Sequence, residues 1–106
     1  MHRMNFKGAL PPLILQALAQ GPNHGYRIAQ EIKERSAGVL DFKEGTLYPA
    51  LHKLENEGLV ESYESMENGR PRRYYRITKS GRAALAKDRA EWRELSRAVT
   101  TILGEA

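Results

Sequence analysis

Two short runs hold most of the side chains that could do chemistry. Gly69 to Thr78 reads GRPRRYYRIT, and its arginines, Arg70, Arg72, Arg73 and Arg76, stand on what looks like a strand beside a turn. A guanidinium is a permanent cation with a planar donor fork, well matched to phosphate oxygens. About twenty residues upstream, Glu44 to Leu54 reads EGTLYPALHKL, a helical run that mixes leucines with Thr46, Tyr48, Pro49, His52 and Lys53. Threonine and tyrosine hydroxyls bond phosphate, and histidine, lysine and a nearby asparagine (Asn56) can reach base edges. A helix joined to a basic hairpin is a combination suited to gripping a nucleic-acid duplex.

Composition narrows the chemistry. The 106 residues suffice for one small domain with a single core. Seventeen Lys and Arg against thirteen Asp and Glu give a net charge of +4, which favours polyanionic partners. The sorting of charge says more. From Leu54 to Gly69 there are five glutamates (Glu55, Glu57, Glu61, Glu64, Glu67) and no basic residue, whereas Arg70 to Arg82 carries six basic residues and no acid. There is no cysteine, which excludes disulfides and thiol chemistry. His2, His24 and His52 are scattered, without the carboxylate or cysteine neighbours of a metal centre, so neither a metal nor a cofactor is expected. Nothing is framed as a nucleophile motif, and an enzyme is not expected. No apolar run approaches the ~20 residues that span a bilayer. The opening MHRMNFKGALPP lacks a signal-like apolar stretch. The expectation is a cytoplasmic protein.

The elements that must position these groups can be read from spacing. Leu10, Leu13, Ile14, Ala17 and Leu18 predict a first helix over 10–20, with Pro11 and Pro12 in its first turn and Gly21-Pro22 behind it. Asn23 is a candidate cap for a second helix, in which Gly25, Ile28, Ala29 and Ile32 share a face and Gly38 closes the segment; His24 would order its start. Val39 to Lys43 could form a minimal strand. A third helix from Glu44 or Gly45 to Gly58 buries Leu47, Leu51 and Leu54, and Pro49 is expected in or near its first turn. Leu59 to Met66 and Arg72 to Thr78 predict a hairpin about the turn cluster Glu67 to Pro71. Thr78 or Ser80 would cap a last helix of about 25 residues, roughly 38 Å long. On that helix Leu85, Trp92 and Val99 fall seven apart, with Leu95 and Ile102 in the complementary register, the seam of a helix that packs on another long helix. Asp88 interrupts the second series.

The order predicts a mainly α (α+β) winged helix-turn-helix with a two-stranded wing and a long C-terminal dimerisation helix. Residues 1–78 form the DNA-binding unit and 79–106 the dimerising helix. With the three leucines inward, Thr46, Pro49, His52, Lys53 and Asn56 face out, flanked by Tyr48; on composition alone, such a face also suits plain solvation. Strand alternation puts Arg73, Tyr75 and Ile77 on one side and Arg72, Tyr74 and Arg76 on the other. Arg70 and Arg72, next to the turn, are the leading wing contacts, and Arg76 is assigned to pairing with a glutamate across the hairpin. The acidic first strand and the apolar last helix leave a second reading open, a winged-helix module for protein contacts without DNA binding.

The segments His24-Gly25-Tyr26-Arg27-Ile28, Glu44 to Glu55 (EGTLYPALHKLE), Gly58-Leu59-Val60 and Gly69 to Gly81 (GRPRRYYRITKSG) together resemble the PadR family of bacterial transcriptional regulators, over nearly the whole chain from about Leu10 to Leu103. The resemblance implies a homodimeric repressor on a pseudo-palindromic double-stranded operator. Its final helix would cross onto the partner, with Thr46, Tyr48, Pro49, His52 and Lys53 on the recognition helix and Arg70, Arg72 and Arg73 on the wing. The chain looks like the short subclass that has one C-terminal helix and no larger C-terminal domain. In multidrug-responsive members of similar size, a tryptophan at the position of Trp92 stacks on flat ligands at the dimer centre. The resemblance therefore also implies a planar aromatic effector, while the seam alone makes Trp92 an interface residue.

Overall fold

A computed structural model describes residues 7–104; His2 and the rest of the opening segment from which no signal was read lie outside them. After a single 3-10 turn at Lys7–Ala9 come α1 (Leu10–Ala19), β1 (Asn23–His24), α2 (Gly25–Arg35), α3 (Glu44–Asn56), β2 (Val60–Glu67), β3 (Arg70–Ile77) and α4 (Lys79–Leu103). The strands form one antiparallel sheet in the order β1-β3-β2. This is a winged helix-turn-helix with a trailing helix, as the sequence predicts, except that the wing gains a third strand.

The core is built where the periodicities converge. Leu10, Ile14, Leu15 and Leu18 of α1, Ile28 and Ile32 of α2, and Leu47, Leu51 and Leu54 of α3 are buried together with Val60, Tyr75 and Leu85. At roughly 1.5–3 kcal/mol per large apolar side chain removed from water, this cluster is the main stabilising term. Pro11 and Pro12 fall inside the first turn of α1, where the missing N–H groups have no helical partner to lose.

Several expectations are corrected. Asn23 is not the cap of α2 but a strand residue paired with Tyr75, and the cap is His24, whose Nδ1 accepts the Arg27 N–H at 3.3 Å. Helix α2 stops at Arg35, and the reversal after it uses Ala37 (φ 53°) as well as Gly38 (φ 84°). Val39 to Lys43 contains no strand. Pro49 is the sixth residue of α3, deeper than the first turn. It leaves the carbonyl of Gly45 without its usual helical donor, and Gly45 is exposed, so water can take that bond. The hairpin is also tighter than expected, with Glu67 and Pro71 inside the strands and only Asn68 (φ 52°) and Gly69 (φ 76°) in the turn. Two left-handed residues match the right-handed twist of the flanking strands. Because Glu67–Arg70 closes this loop, Met66–Pro71 is a non-hydrogen-bonded pair and the N–H that proline lacks falls on the open edge.

Thr78, not Ser80, starts α4. Its Oγ1 accepts the Gly81 N–H at 3.0 Å, while its hydroxyl donates to the Gly58 carbonyl at 2.7 Å, tying the helix to the end of α3. Gly81 is buried, and a Cβ there would run into the Leu59 carbonyl and lie 2.7 Å from Ile77 Cγ1. In an open helix, alanine outdoes glycine by about 1 kcal/mol. Here the sign reverses, and Gly81→Ala is expected to cost about 2 kcal/mol or more, read as a lowered midpoint in urea unfolding.

Candidate nucleic-acid interface

The roll of α3 decides which of its side chains are free. With Leu47, Leu51 and Leu54 buried, Pro49, His52, Lys53 and Asn56 are exposed. The two flanks differ. Thr46 is half-buried and lines, with Lys53, a cleft formed by Leu10 and Pro11 of α1 and Ala84 and Asp88 of α4. Tyr48 leans the other way and is also half-buried. Its ring lies on α2, so close that a Cβ on Gly25 would stand 2.6 Å from the Tyr48 hydroxyl oxygen. Tyr48 is thus set by the absence of a side chain at Gly25 rather than standing outward with His52.

The two faces of the hairpin separate as alternation requires. Arg73 shares its side with the buried Tyr75, and its Nη1 donates to Ser62 Oγ at 2.8 Å, whose own hydroxyl donates to Glu55 on α3. Burial, with the Glu55 charge adding to it, pushes the Tyr75 phenol up from its usual value and keeps it neutral. On the opposite face Arg76 Nε donates to Glu61 Oε1 at 2.7 Å, and its guanidinium lies 4.6 Å over the Tyr63 ring. That is the pairing assigned to Arg76 from sequence. Arg70, at the turn, is exposed.

Arg72 is engaged. Its Nη1 donates to Glu67 Oε2 at 3.0 Å and lies 2.9 Å from His24 Nε2. The other oxygen of Glu67 accepts the Tyr74 hydroxyl at 2.8 Å. That hydroxyl and the Arg72 charge hold the Glu67 carboxyl below the usual carboxylate range. The bond to Glu67, with burial adding to it, in turn pushes the Tyr74 phenol up. Burial, reinforced by Arg72, lowers the His24 pKa and keeps the imidazole neutral. Neither His24 nor Glu67 is singled out by sequence as a partner of Arg72. The contact joins residues 48 apart, and no local signal reports it.

On α4 the seam divides. Leu85 is buried in the core of its own domain, so it is not part of the free face. Trp92 (60% exposed), Leu95 (54%), Val99 (42%) and Ile102 (83%) remain in solvent. Trp92 borders a shallow trough with Arg93, Ser96, Arg97 and Thr100. Among the described residues no helix is long and apolar enough to cross a membrane, and no group of three or more metal-ligating side chains comes together.

A recognition-type helix with an unburied polar face, an arginine-bearing hairpin and a protruding helix define a winged helix-turn-helix protein of the nucleic-acid-binding class. The model of the transcriptional regulator PadR-like family matches residues 14–87, and the chain belongs to that family. It is 44% identical over 86 residues to the transcriptional regulator Rv3488 of Mycobacterium tuberculosis, covering 81% of this chain and 78% of that protein. Its backbone follows a transcriptional regulator from Clostridium thermocellum at TM-score 0.87 and 30% identity, over 93% of this chain and 97% of the other. A PadR family regulator from Clostridium difficile gives 0.81 and 34%, over 92% and 100%. The chain is accordingly a transcriptional regulator of a DNA-binding family and not an enzyme.

The Gly25–Tyr48 contact gives a test that needs no DNA. Gly25→Ala is expected to lose about 1–3 kcal/mol of stability by crowding the ring. In a Tyr48→Ala background the same change should be nearly neutral, because the crowded partner is gone. Urea unfolding of the four chains of this double-mutant cycle reads the coupling directly.

Proposed function

We propose that the chain is a dimeric repressor. Residues 1–78 read DNA and residues 79–106 pair two copies, so that the two α3 helices enter successive major grooves of a pseudo-palindromic operator in the cytoplasm. The observation that carries the DNA reading is the outer face of α3, where Pro49, His52, Lys53 and Asn56 are exposed while the leucines of the same helix are fully spent in the core. Thr46 and Tyr48 flank that face. Arg70, exposed at the turn of the wing, supplies the leading phosphate contact, with Arg73 behind it. The exposed Trp92, Leu95, Val99 and Ile102 support pairing, because a water-soluble chain rarely leaves such a stripe uncovered. Two-fold symmetry then spaces the half-sites by about one helical turn of DNA.

Release by a small molecule is the last part of the reading. It rests on Trp92, whose exposed ring beside the Arg93–Arg97 trough offers a stacking surface to a planar aromatic compound. A panel of such compounds should quench the tryptophan emission and free the DNA together; no response across the panel counts against an effector.

Footprinting on the DNA upstream of the chain's own coding segment tests operator binding and half-site spacing at once. In anisotropy titrations against a random duplex over a salt series, Arg70→Ala is expected to lower the slope of log K against log salt by about 1, because one phosphate contact is lost. An unchanged slope removes Arg70 from the interface. Parent chain with no salt-sensitive affinity at all would favour the protein-contact module. For the dimer, sedimentation at micromolar concentration should show twice the monomer mass. Leu95→Glu should shift it to the monomer, since a charge would be buried on the seam.

A further inference from the structure

We propose that His24, with Glu67 and Tyr74, is a positioning residue for DNA binding: together they clamp Arg72 and thereby hold the wing against the start of α2, before any DNA arrives. This deepens the reading of the chain as a DNA binder and rests on it. It also takes Arg72 out of the set of phosphate contacts and makes it part of the clamp.

The geometry at His24 carries the argument. The residue is 5% exposed, although most histidines of a small domain can reach water. Its Nδ1 already caps α2 by accepting the Arg27 N–H. A neutral ring with a free lone pair on Nδ1 carries its proton on Nε2. Arg72 Nη1 is a permanent donor, yet it lies 2.9 Å from Nε2 and 3.4 Å from Nδ1. The in-plane directions of the two ring nitrogens diverge, so one atom this near to both lies over the ring face and not on a lone pair. The contact is therefore a cation resting on a neutral aromatic surface. The ring meets Tyr74 edge-on at 5.5 Å between centroids, and Glu67 closes the cluster by accepting from both Arg72 and Tyr74.

The four members of the cluster come from three parts of the fold. His24 sits at the junction of β1 and α2, Glu67 is the last residue of β2 before the turn, and Arg72 and Tyr74 are on β3. Beyond Tyr74, β3 pairs with β2 alone, since β1 pairs only with Tyr74 and Tyr75. An isolated two-stranded ribbon is marginal in water. The clamp engages the wing in that unsupported stretch, and the Arg72 guanidinium is anchored there through Nη1, which meets both Glu67 and the His24 ring.

The test separates positioning from capping and from charge. His24→Asn keeps a good helix cap but removes the ring, and Tyr74→Phe removes only the hydroxyl. With the full chain and a fluorescein-labelled random duplex, each is expected to weaken binding by roughly three- to tenfold, the range of one lost hydrogen bond or stacking contact. The salt slope should stay that of the parent, with unfolding midpoints near the parent's. Arg72→Ala should do the same, and His24→Asn combined with Arg72→Ala should be no worse than either alone. Hydrogen exchange of the Glu67 to Arg72 amides should quicken in His24→Asn whether or not DNA is bound. Parent-like affinity and exchange in His24→Asn would overturn the proposal, as would a slope lowered by about 1 in Arg72→Ala, or a loss of affinity that follows only the unfolded fraction. If the parent itself bound no duplex, the DNA reading would fail, while the exchange measurement would still decide the clamp.

Discussion

Burial of Leu47, Leu51 and Leu54 is the constraint on which the rest of the structure depends. A domain of this size has one core, and α3 is a 13-residue helix that must complete that core while presenting a surface. Three leucines at spacings of four and three fix its roll to within a residue, because any other rotation would expose two of them and bury His52 or Lys53 without a partner. The identity of the outward face is thus a by-product of packing. The same constraint explains the flanks. Tyr48 and Thr46 are neither core nor surface and are settled by their neighbours, Tyr48 by the bare backbone of Gly25 and Thr46 by the cleft against α1 and α4.

The wing is held from both of its faces by different chemistry. On the inner face, Arg73, Ser62 and Glu55 connect β3 through β2 to α3, next to the buried Tyr75. On the outer face, Arg72, Glu67, Tyr74 and His24 connect it to α2. Each link is worth little alone, as exposed ion pairs are. Opposed across a strand, they fix its angle in a way that neither would alone. The hairpin is therefore not a loose basic arm but a strut set between the two helices of the helix-turn-helix.

The long elements were legible in the sequence because each had a period to read. The leucine spacing of α3, the length of α4 and the turn cluster between the strands all record local geometry; the helices and the hairpin reappear in the structure, with the turn narrowed to Asn68 and Gly69. What stayed hidden is non-local. A two-residue strand at Asn23–His24 has no period, and only its pairing with Tyr74 and Tyr75 makes it a strand. The engagement of Arg72 by His24 depends on chain segments far apart, so an arginine count beside a turn could not report it. Leu85 shows the limit of a heptad: it shares a register with Trp92, but the repeat does not say which neighbour the stripe faces, and at Leu85 the neighbour is the domain itself. Pro49 lies deeper than its lost hydrogen bond led one to expect, because the carbonyl it abandons belongs to the exposed Gly45.

The sorting of charge between the two hairpin strands has a consequence for how the protein behaves in company. β2 is an outer strand of the sheet, with one backbone edge paired to β3 and the other open, and it carries Glu61, Glu64 and Glu67. An open edge is a template for any other extended chain, above all an identical one. Two such edges meeting would bring like carboxylates together, so copies of the wing resist zipping into a shared sheet, even when crowded along the same stretch of polyanion that their basic strands attract. The glutamates that pair with Arg76 and Arg72 within one hairpin thus also stand along its open edge as a guard against self-assembly.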